Sequence, residues 1–456
     1  MSKRPRVLRS QRKIIGPLNV VNPDAAGIDA GSEQHWVSVP PDRDHQSIRA
    51  FGTFTEDLYQ LADWLVACGI KTVAIEATGV YWIPLFEVLE TRGLAPRLVD
   101  SRSIGRRNKK KTDVVDCQWI RQLHTHALLD GAFRPNAEML PLRSFMRQRR
   151  MLIDYASDHI RHMQKALDLM NLKLHLVIAD ITGVSGLRII HAILDGQRDA
   201  KELAAMREPN CKNSEQTIAK ALMGNYRDEH LFALRQAVEL FEEYKKKLNA
   251  CDDKIAATLA AFEKKGDRTN LINKSSTRTR RKNQPRFDAR SLIFEMTGVD
   301  LTAIDGLEAS SVLTILSETG TDMTPWPSEG QFASWLALCP NRWITGGRAL
   351  AKKPPIIHPN RAAQAFRVAA QTLERARCAL GAFFRRIQSR HGRAAAIKAT
   401  AHKLAIIFYT MLKTRTPYRD AGVDYYEERY RQRLFNSLQK RAATLGFHLT
   451  PLQEVH

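Results

Sequence analysis

Four acidic residues in the N-terminal part of the chain have the types and positions that metal-dependent chemistry requires. Asp29 lies within the strand-like run GIDAG, and Glu76 ends the apolar run TVAIE. Asp113 and Asp116 follow in KKKTDVVDCQWI, where a spacing of three places both on one face of a helix. An ionised carboxylate in a buried strand is costly unless it is paired or bound to a metal ion.

These carboxylates suit Mg²⁺, which prefers oxygen ligands and keeps several of its waters, so three or four carboxylates suffice. Two such ions ~3.5–4 Å apart activate the attacking oxygen and stabilise the leaving oxygen in phosphoryl transfer. Taken singly, each acid is better explained as solvated, or as a helix-cap or dipole partner such as Asp113 behind a Thr112 cap. The joint occurrence of all four favours a metal site. A basic run directly before the acid pair would hold a phosphate backbone there: Arg106, Arg107, Asn108, Lys109, Lys110 and Lys111.

The elements that must position these acids follow the order β-β-β-α-β-α-β and then a further helix. The strands are read from AAGIDAGSEQHWVSV, with a turn at Ala30–Ser32, and from SIRAFGTF, KTVAIEA and APRLVD. The helices are TEDLYQLADWLVAC with Thr55 as N-cap, PLFEVLETR, and a segment from Thr112 to about Leu129. This order predicts an α/β domain with a mixed sheet over residues 25–137, as in a ribonuclease-H-like fold. Glu76 then lies at the sheet edge where open α/β sheets place ligands.

The rest of the chain is predicted to be mostly helical. Apolar residues recur at helical spacing within 138–263, which indicates long helices in a paired coiled-coil arm. Residues 264–290 hold ten Lys/Arg against two Asp and are expected to be a basic linker, disordered without a partner. Residues 291–456 form a mostly helical C-terminal domain, and residues 1–24 form a basic N-terminal tail.

The overall charge indicates the class of partner. The 456 residues carry 70 Lys+Arg against 48 Asp+Glu, a formal net charge of +22, which favours nucleic acid. No apolar run approaches the ~20 residues of a membrane-spanning helix. The N-terminal MSKRPRVLRSQRK lacks the apolar stretch of a secretory signal, so we expect a cytoplasmic protein without a membrane partner. The six cysteines show no C-x-x-C pair, which argues against a structural zinc site.

The motifs GIDAG, IEATGVYW and K-x-D-x-x-D, the last at Lys111–Asp116, resemble the DEDD insertion-sequence transposases, recombinases guided by a bridge RNA. The resemblance implies a RuvC-like N-terminal domain in which Asp29, Glu76, Asp113 and Asp116 form the catalytic, Mg²⁺-binding tetrad. It also implies that the chain acts on the DNA of the element ends and target, with a noncoding guide RNA encoded by the element. Dimers that pair into a tetramer are the implied assembly.

A second block, FASWLALCPNRWITGGRALAKKPPIIHPNRAAQAF, resembles the C-terminal transposase domain of the same family. In the family, the serine of a Ser-Gly pair becomes covalently joined to DNA, whereas this chain has Thr345 at that position. A threonine hydroxyl can act as the nucleophile, although its β-methyl crowds in-line attack. The alternatives are an inactive copy or a different alignment. Gly346 and Gly347 would let the backbone approach a phosphate closely. Four nearby cations could neutralise that phosphate: Arg342, Arg348, Lys352 and Lys353.

The leading hypothesis is a transposase that excises and inserts its own element through the acidic tetrad and the loop hydroxyl. One alternative is a structure-selective endonuclease related to Holliday-junction resolvases, which needs the tetrad and no hydroxyl nucleophile. The other is a catalytically decayed protein that only binds nucleic acid.

Overall fold

The computed structural model describes residues 18–77, 79–100, 104, 112–271, 282–340, 360–420 and 422–448, with the backbone alone at 344–345 and 348–349. The chain divides into two compact units, Met1–Arg134 and Pro135–His456.

The first unit contains a five-stranded mixed sheet with helices on both faces. The strands lie in the order β3-β2-β1-β4-β5, with β1–β2 and β2–β3 antiparallel and β1–β4 and β4–β5 parallel. The order of elements and the mixed sheet predicted from the sequence are therefore confirmed. The strands are β1 Ala25–Ala30, β2 His35–Ser38, β3 Ile48–Phe51, β4 Thr72–Glu76 and β5 Ala95–Val99, and the helices are α1 Thr55–Ala67, α2 Trp82–Thr91 and α3 Asp113–Thr125.

Two predicted helix ends are wrong. The N-cap of α1 is Phe54 rather than Thr55, because the Asp57 carboxylate accepts a hydrogen bond from the Phe54 N–H at 3.1 Å. A carboxylate three residues after the N-cap thus satisfies the N–H of the N-cap residue itself, as in a capping box. Helix α3 ends at Thr125, four residues before the predicted Leu129.

The two faces of the sheet have separate apolar contacts. Helix α1 buries Leu58, Leu61 and Leu65, which recur at helical spacing, in the core shared with Ile28 and Val73. Each such fully buried side chain contributes about 1.5–3 kcal/mol. On the opposite face, Ile120 of α3 packs with Ala74 and Val99 of the sheet. Helix α3 is therefore the element that covers the face opposite α1 and α2.

A buried histidine joins the end of α3 to β4. The His124 ring lies 3.0 Å from the Thr72 hydroxyl, and the side chain is only 3% exposed. Burial, with a smaller effect of the Arg97 charge, lowers the pKa of His124 to about 4 from its usual 6.5. The ring is therefore neutral in the folded protein at neutral pH.

This histidine is expected to make the folded state sensitive to acid. Since the folded pKa is depressed, the unfolded chain binds the proton more tightly, and stability is complete above about pH 6.5 and is lost as pH falls toward 4. The shift corresponds to about 3 kcal/mol of unfolding free energy. Denaturant unfolding at several pH values should show this slope in the wild type and a shallower one in His124→Leu, because Thr72 still donates to the Ala95 carbonyl. Identical slopes would contradict the assignment.

The second unit is mostly helical. Its helices are α4 Met139–Leu169, α5 Leu174–Val177, α6 Val184–Leu194, α7 Ala200–Ala205, α8 Glu215–Ala221, α9 Asp228–Ala260, α10 Ala289–Thr297, α11 Ala309–Thr319, α12 Glu329–Trp335, α13 Arg361–Thr372, α14 Ala379–His391, α15 Arg393–Thr414 and α16 Gly422–Thr444. Short 3₁₀ turns lie at Arg268–Asn270, Leu301–Ala303 and Leu373–Arg375, and two short strands, β6 Ile344–Thr345 and β7 Arg348–Ala349, pair antiparallel.

The long helices α4 and α9 pack along each other, as the apolar spacing predicts for an arm of paired helices. The ring of Tyr244 in α9 lies 5.6 Å from Tyr155 and stacks on His159 at 5.3 Å between centroids. The shorter helices between α4 and α9 share a buried core with them, which includes Ile190 and Leu203.

The described ends of the basic 264–290 segment are held by ion pairs and hydrogen bonds, unlike the disordered linker expected from composition. Lys264 and Arg268 both pair with Glu295 of α10. Lys282 pairs with Asp180 at 2.9 Å. Residues 272–281 lie outside the described residues.

In the parts of the chain that are described, no helix combines the length and apolar character needed to cross a membrane.

Candidate metal centre

The parallel register of β1 and β4 brings Asp29 and Glu76 together. Ile28 lies opposite Ile75 in this ladder, so Asp29 and Glu76 are the next neighbouring positions. Residues at matched positions of parallel strands point to the same face, and both strands end at this edge of the sheet. Both carboxylate side chains are half-buried.

The shared face is the one that α3 covers, because Gly27 lies two residues before Asp29 and faces α3. A Cβ at Gly27 would lie 2.3 Å from the Arg121 backbone nitrogen and 2.6 Å from the Cys117 carbonyl oxygen. Only glycine fits under a helix backbone at this distance. The small residue therefore lets α3 cross the sheet closely, next to the strand position that carries Asp29.

The first turn of α3 supplies the other two acids. Thr112 is the N-cap of this helix, as predicted, and its hydroxyl accepts a hydrogen bond from the Val115 N–H at 3.4 Å. Asp113 is exposed and Asp116 is half-buried. Negative charge is favoured at this end of a helix, since the N-terminal N–H groups carry partial positive charge.

Cys117 shows that acids from the strand and the helix lie near the same point. Burial, with further contributions from the Asp29 and Asp116 carboxylates, raises the pKa of the Cys117 thiol to about 12. Both carboxylates are therefore close enough for their charge to act on this sulfur. The thiol stays protonated at neutral pH, so the charged candidate ligands among the described residues of this edge are the carboxylate oxygens.

The donor set fits a hard divalent cation, because it consists of half-buried or exposed carboxylates from β1, β4 and α3. The four acids of the tetrad lie farther apart than the ligands of a single compact metal site. Among the described residues, the candidate ligand atoms of Asp305, Cys378 and Asp420 lie within 4.8 Å of one another, whereas no three acids of the tetrad come this close together. A wide carboxylate set suits ions that keep several waters, as Mg²⁺ does.

The basic run predicted beside the tetrad, Arg106, Arg107, Lys109, Lys110 and Lys111, lies outside the described residues. Ile104, just before it, is described, and its carbonyl accepts a hydrogen bond from the Trp119 indole of α3 at 2.8 Å. This hydrogen bond holds the backbone at Ile104 against α3, two residues before the basic run begins.

The predicted nucleophile lies on the short strand pair of the second unit. Thr345 in β6 is paired with Arg348 in β7, with Gly346 and Gly347 between them in sequence. The sequence predicted a loop here, and the strand pair within it was not foreseen. The other predicted residues of this segment lie outside the described residues: Arg342, Gly346, Gly347, Lys352 and Lys353.

Sequence reasoning missed the Asp305, Cys378 and Asp420 cluster, whose members are too far apart along the chain to form a motif. Asp420 accepts from the Ala379 N–H at 3.3 Å, and Cys378 accepts from the Gly381 N–H at 3.3 Å. Burial, followed by the two carboxylates, raises the pKa of Cys378. These bonds cap the first turn of α14 and hold the segment after α15 against it.

Residues 26–172 match the model of a DEDD transposase family of the IS110 type, described as a transposase. This span covers about a third of the chain and contains all four acids of the predicted tetrad. The match confirms the resemblance seen in the GIDAG, IEATGVYW and K-x-D-x-x-D motifs. No curated protein matches the chain.

Proposed function

We propose, from the match of residues 26–172 to a DEDD transposase family model, that this chain cleaves and rejoins DNA strands as the transposase of a mobile insertion sequence. The observation that carries the proposal is the matched position of Asp29 and Glu76 at the ends of parallel strands, on the sheet face that α3 covers. The strand order β3-β2-β1-β4-β5 supports a RuvC-like, ribonuclease-H-like fold for this unit.

The four carboxylates would hold Mg²⁺: Asp29 and Glu76 from the sheet, Asp113 and Asp116 from the helix. Bound there, Mg²⁺ supplies charge stabilisation for the attacking and leaving oxygens of phosphoryl transfer. Asp29, Glu76 and Asp116 are half-buried, which partly shields this edge of the sheet from water. The close crossing at Gly27 fixes α3, so the helical acids keep their position relative to the strand acids.

The strand-joining chemistry is assigned to the Thr345 hydroxyl. Its oxygen attacks the phosphorus of a DNA phosphodiester as its proton passes to solvent, which forms a threonine–phosphate bond. The bond from phosphorus to one sugar oxygen breaks, and that oxygen leaves with a proton from solvent. A second sugar hydroxyl then attacks the same phosphorus and loses its proton to solvent. The bond between phosphorus and the Thr345 oxygen breaks, and that oxygen takes up a proton from solvent, which rejoins the DNA and regenerates Thr345.

The remaining parts of the proposal concern partners. The net charge of +22 supports binding of DNA and of RNA through their backbones. The resemblance to bridge-RNA-guided recombinases supports an element-encoded noncoding RNA that selects the target by base pairing. It also supports a homo-oligomer, a dimer or tetramer, as the active species.

The test is to incubate the purified full chain with Mg²⁺, DNA that carries the element ends, and RNA transcribed from the sequence beside the gene. Denaturing gels should then show protein–DNA adducts and recombined strands. Cleavage without adducts would replace this proposal with the structure-selective endonuclease. Binding without cleavage or adducts would leave the decayed nucleic-acid-binding protein.

A further inference from the structure

The last helix of the second unit, α16, carries a basic and highly exposed segment. Residues 429–448 hold five Lys/Arg and no Asp or Glu. All eleven residues from Arg431 to Arg441, which make three turns of the helix, are exposed. Residues 429–444 are called the α16 basic segment.

Tyr430 holds the start of this segment on α14. The Arg386 guanidinium of α14 lies over the Tyr430 ring, 3.5 Å from its centroid. The Arg390 guanidinium lies 5.4 Å from the same centroid and donates a hydrogen bond to the Tyr430 hydroxyl. Cations are attracted to the face of an aromatic ring, so these contacts fix the helix to α14. The α16 basic segment therefore begins at an anchored point that is itself positively charged.

Polar side chains of the segment share one face of the helix. Arg433 and Lys440 are seven residues apart, so they lie on the same side, about 10 Å from each other along the axis. Charged and polar donors on one helix face suit a row of phosphate groups. Six side chains line a single surface hollow along this face: Arg433, Asn436, Ser437, Lys440, Arg441 and Thr444.

The other side of the segment carries an apolar stripe that cations flank. Leu434, Leu438 and Leu445 are 45%, 46% and 75% exposed. Helical spacing places Arg431 and Arg441 beside this stripe, three residues from Leu434 and from Leu438. A second copy of the chain seated on the stripe would bring like charges together, with no acid in the segment to pair with them. The same two cations narrow the apolar face that a membrane-surface helix needs.

The shape of the segment favours duplex DNA over duplex RNA. An α-helix with its side chains is about 10–12 Å across. The major groove of B-form DNA is about 12 Å wide and admits such a helix between two walls of phosphates. The major groove of A-form RNA is too deep and narrow for side chains to enter. Since the side chains from Arg431 to Arg441 are exposed around the whole helix, the segment can lie in the DNA groove as it stands.

We propose that the α16 basic segment lies in the major groove of duplex DNA, with its cationic face toward the DNA and Arg433 and Lys440 on backbone phosphates. This inference rests on the proposed function for the identity of that DNA, the duplex whose strands are cleaved and rejoined. The phosphate contacts contribute affinity and hold the helix in position along the duplex.

The experiment measures binding of the full chain to a labelled DNA duplex and to an RNA duplex of the same sequence, without Mg²⁺ so that no strand is cut. The variant Arg433→Gln/Lys440→Gln/Arg441→Gln should bind the DNA at least about tenfold more weakly than the wild type, with a salt dependence shallower by about two to three counter-ions. Its affinity for the RNA duplex should change less than about twofold. A control with the same loss of charge should keep both affinities, because it alters three exposed lysines elsewhere in the second unit: Lys201→Gln/Lys212→Gln/Lys220→Gln.

A second variant tests the other side of the helix. Leu434→Gln/Leu438→Gln keeps every charge and should bind DNA as the wild type does, with the same sedimentation and melting temperature, since both side chains are exposed. Weakening of DNA binding in this variant as large as in the cation variant, together with slower or faster sedimentation, would overturn the inference in favour of a second copy of the chain.

Three further results would overturn it. Unchanged DNA affinity and salt dependence in the cation variant would mean that the segment does not contact DNA. Equal weakening on the DNA and RNA duplexes would mean that charge alone attracts them and that no groove is entered. Binding to phosphatidylserine vesicles that the cation variant loses, while its DNA affinity stays at the wild-type level, would mean that a membrane surface is the partner.

This binding result and the strand chemistry fail separately. If the wild type forms no DNA adduct and cuts no strand, while the cation variant still loses DNA affinity, the proposed function is removed and the DNA-binding helix remains. If the wild type forms adducts and the cation variant binds DNA unchanged, the proposed function remains and the inference about α16 is removed.

Discussion

Asp29→Asn is expected to lower the rate of Mg²⁺-dependent DNA strand cleavage about 100- to 1,000-fold while DNA affinity changes less than about twofold. Asn has the shape of Asp but lacks the negative charge that holds a divalent ion. Asp29 lies at the matched β1 position beside Glu76, so its substitution removes one proposed metal ligand without opening the core. Cleavage of end-bearing DNA and equilibrium binding, both followed on the same preparation, measure the two effects.

Two further variants make this result specific. Asp113→Asn, in the first turn of α3, should lose cleavage in the same way, although it comes from a different element. Glu33→Gln neutralises an exposed acid in the turn between β1 and β2 and should cleave at the wild-type rate. If Asp29→Asn and Asp113→Asn both still cut DNA, the tetrad is not the metal site. If all three lose activity together, general loss of negative charge is the cause.

The sheet of the first unit was predictable because its strands are short apolar runs separated by turns and amphipathic helices. Alternation and helical spacing are local properties, and they identify β1 through β5 and α1 through α3 nearly in place. The N-cap of α1 was misplaced by one residue because the Asp57 carboxylate accepts a hydrogen bond from the Phe54 N–H. This interaction competes with a threonine cap.

The relative positions of the four acids could be predicted only in part from the sequence. The positions of Asp29 and Glu76 on their strands follow from the pattern, but the parallel register that makes them neighbours is a pairing across 47 residues. The close crossing of α3 over Gly27 likewise needs the fold, because a single glycine in a strand has several explanations. Local patterns identify which residues are suited to chemistry, and tertiary packing decides which of them meet.

The second unit shows more clearly which features cannot be predicted from the sequence alone. The pairing of α4 with α9 could be predicted, because long helices with an apolar stripe must bury it against a partner. The group formed by Asp305, Cys378 and Asp420 could not, since its members are spread over 115 residues of the sequence. Only the packing of the second unit brings their side chains together.

Thr345→Ala is expected to abolish the covalent protein–DNA adduct and to lower strand rejoining by at least about 10⁴-fold, since no hydroxyl remains to attack phosphorus. Thr345→Ser is expected to form the adduct at the wild-type rate or faster. Serine keeps the hydroxyl and lacks the β-methyl that crowds in-line attack. Thr410→Ala, an exposed threonine whose hydroxyl donates only to the Ile406 carbonyl, should leave the adduct unchanged. Denaturing gels with labelled DNA measure the adduct.

The pair of substitutions at Thr345 distinguishes the three hypotheses better than either one alone. Faster adduct formation in Thr345→Ser, together with loss of the adduct in Thr345→Ala, means that the hydroxyl reacts and that the methyl group slows the reaction. Adduct formation only in Thr345→Ser would mean that the natural chain is an inactive copy whose remaining machinery is intact. DNA cleavage that survives in Thr345→Ala and needs Asp29 would instead mean that water is the nucleophile, as in a resolvase. Thr345 would then be a backbone position of β6 with no part in the chemistry.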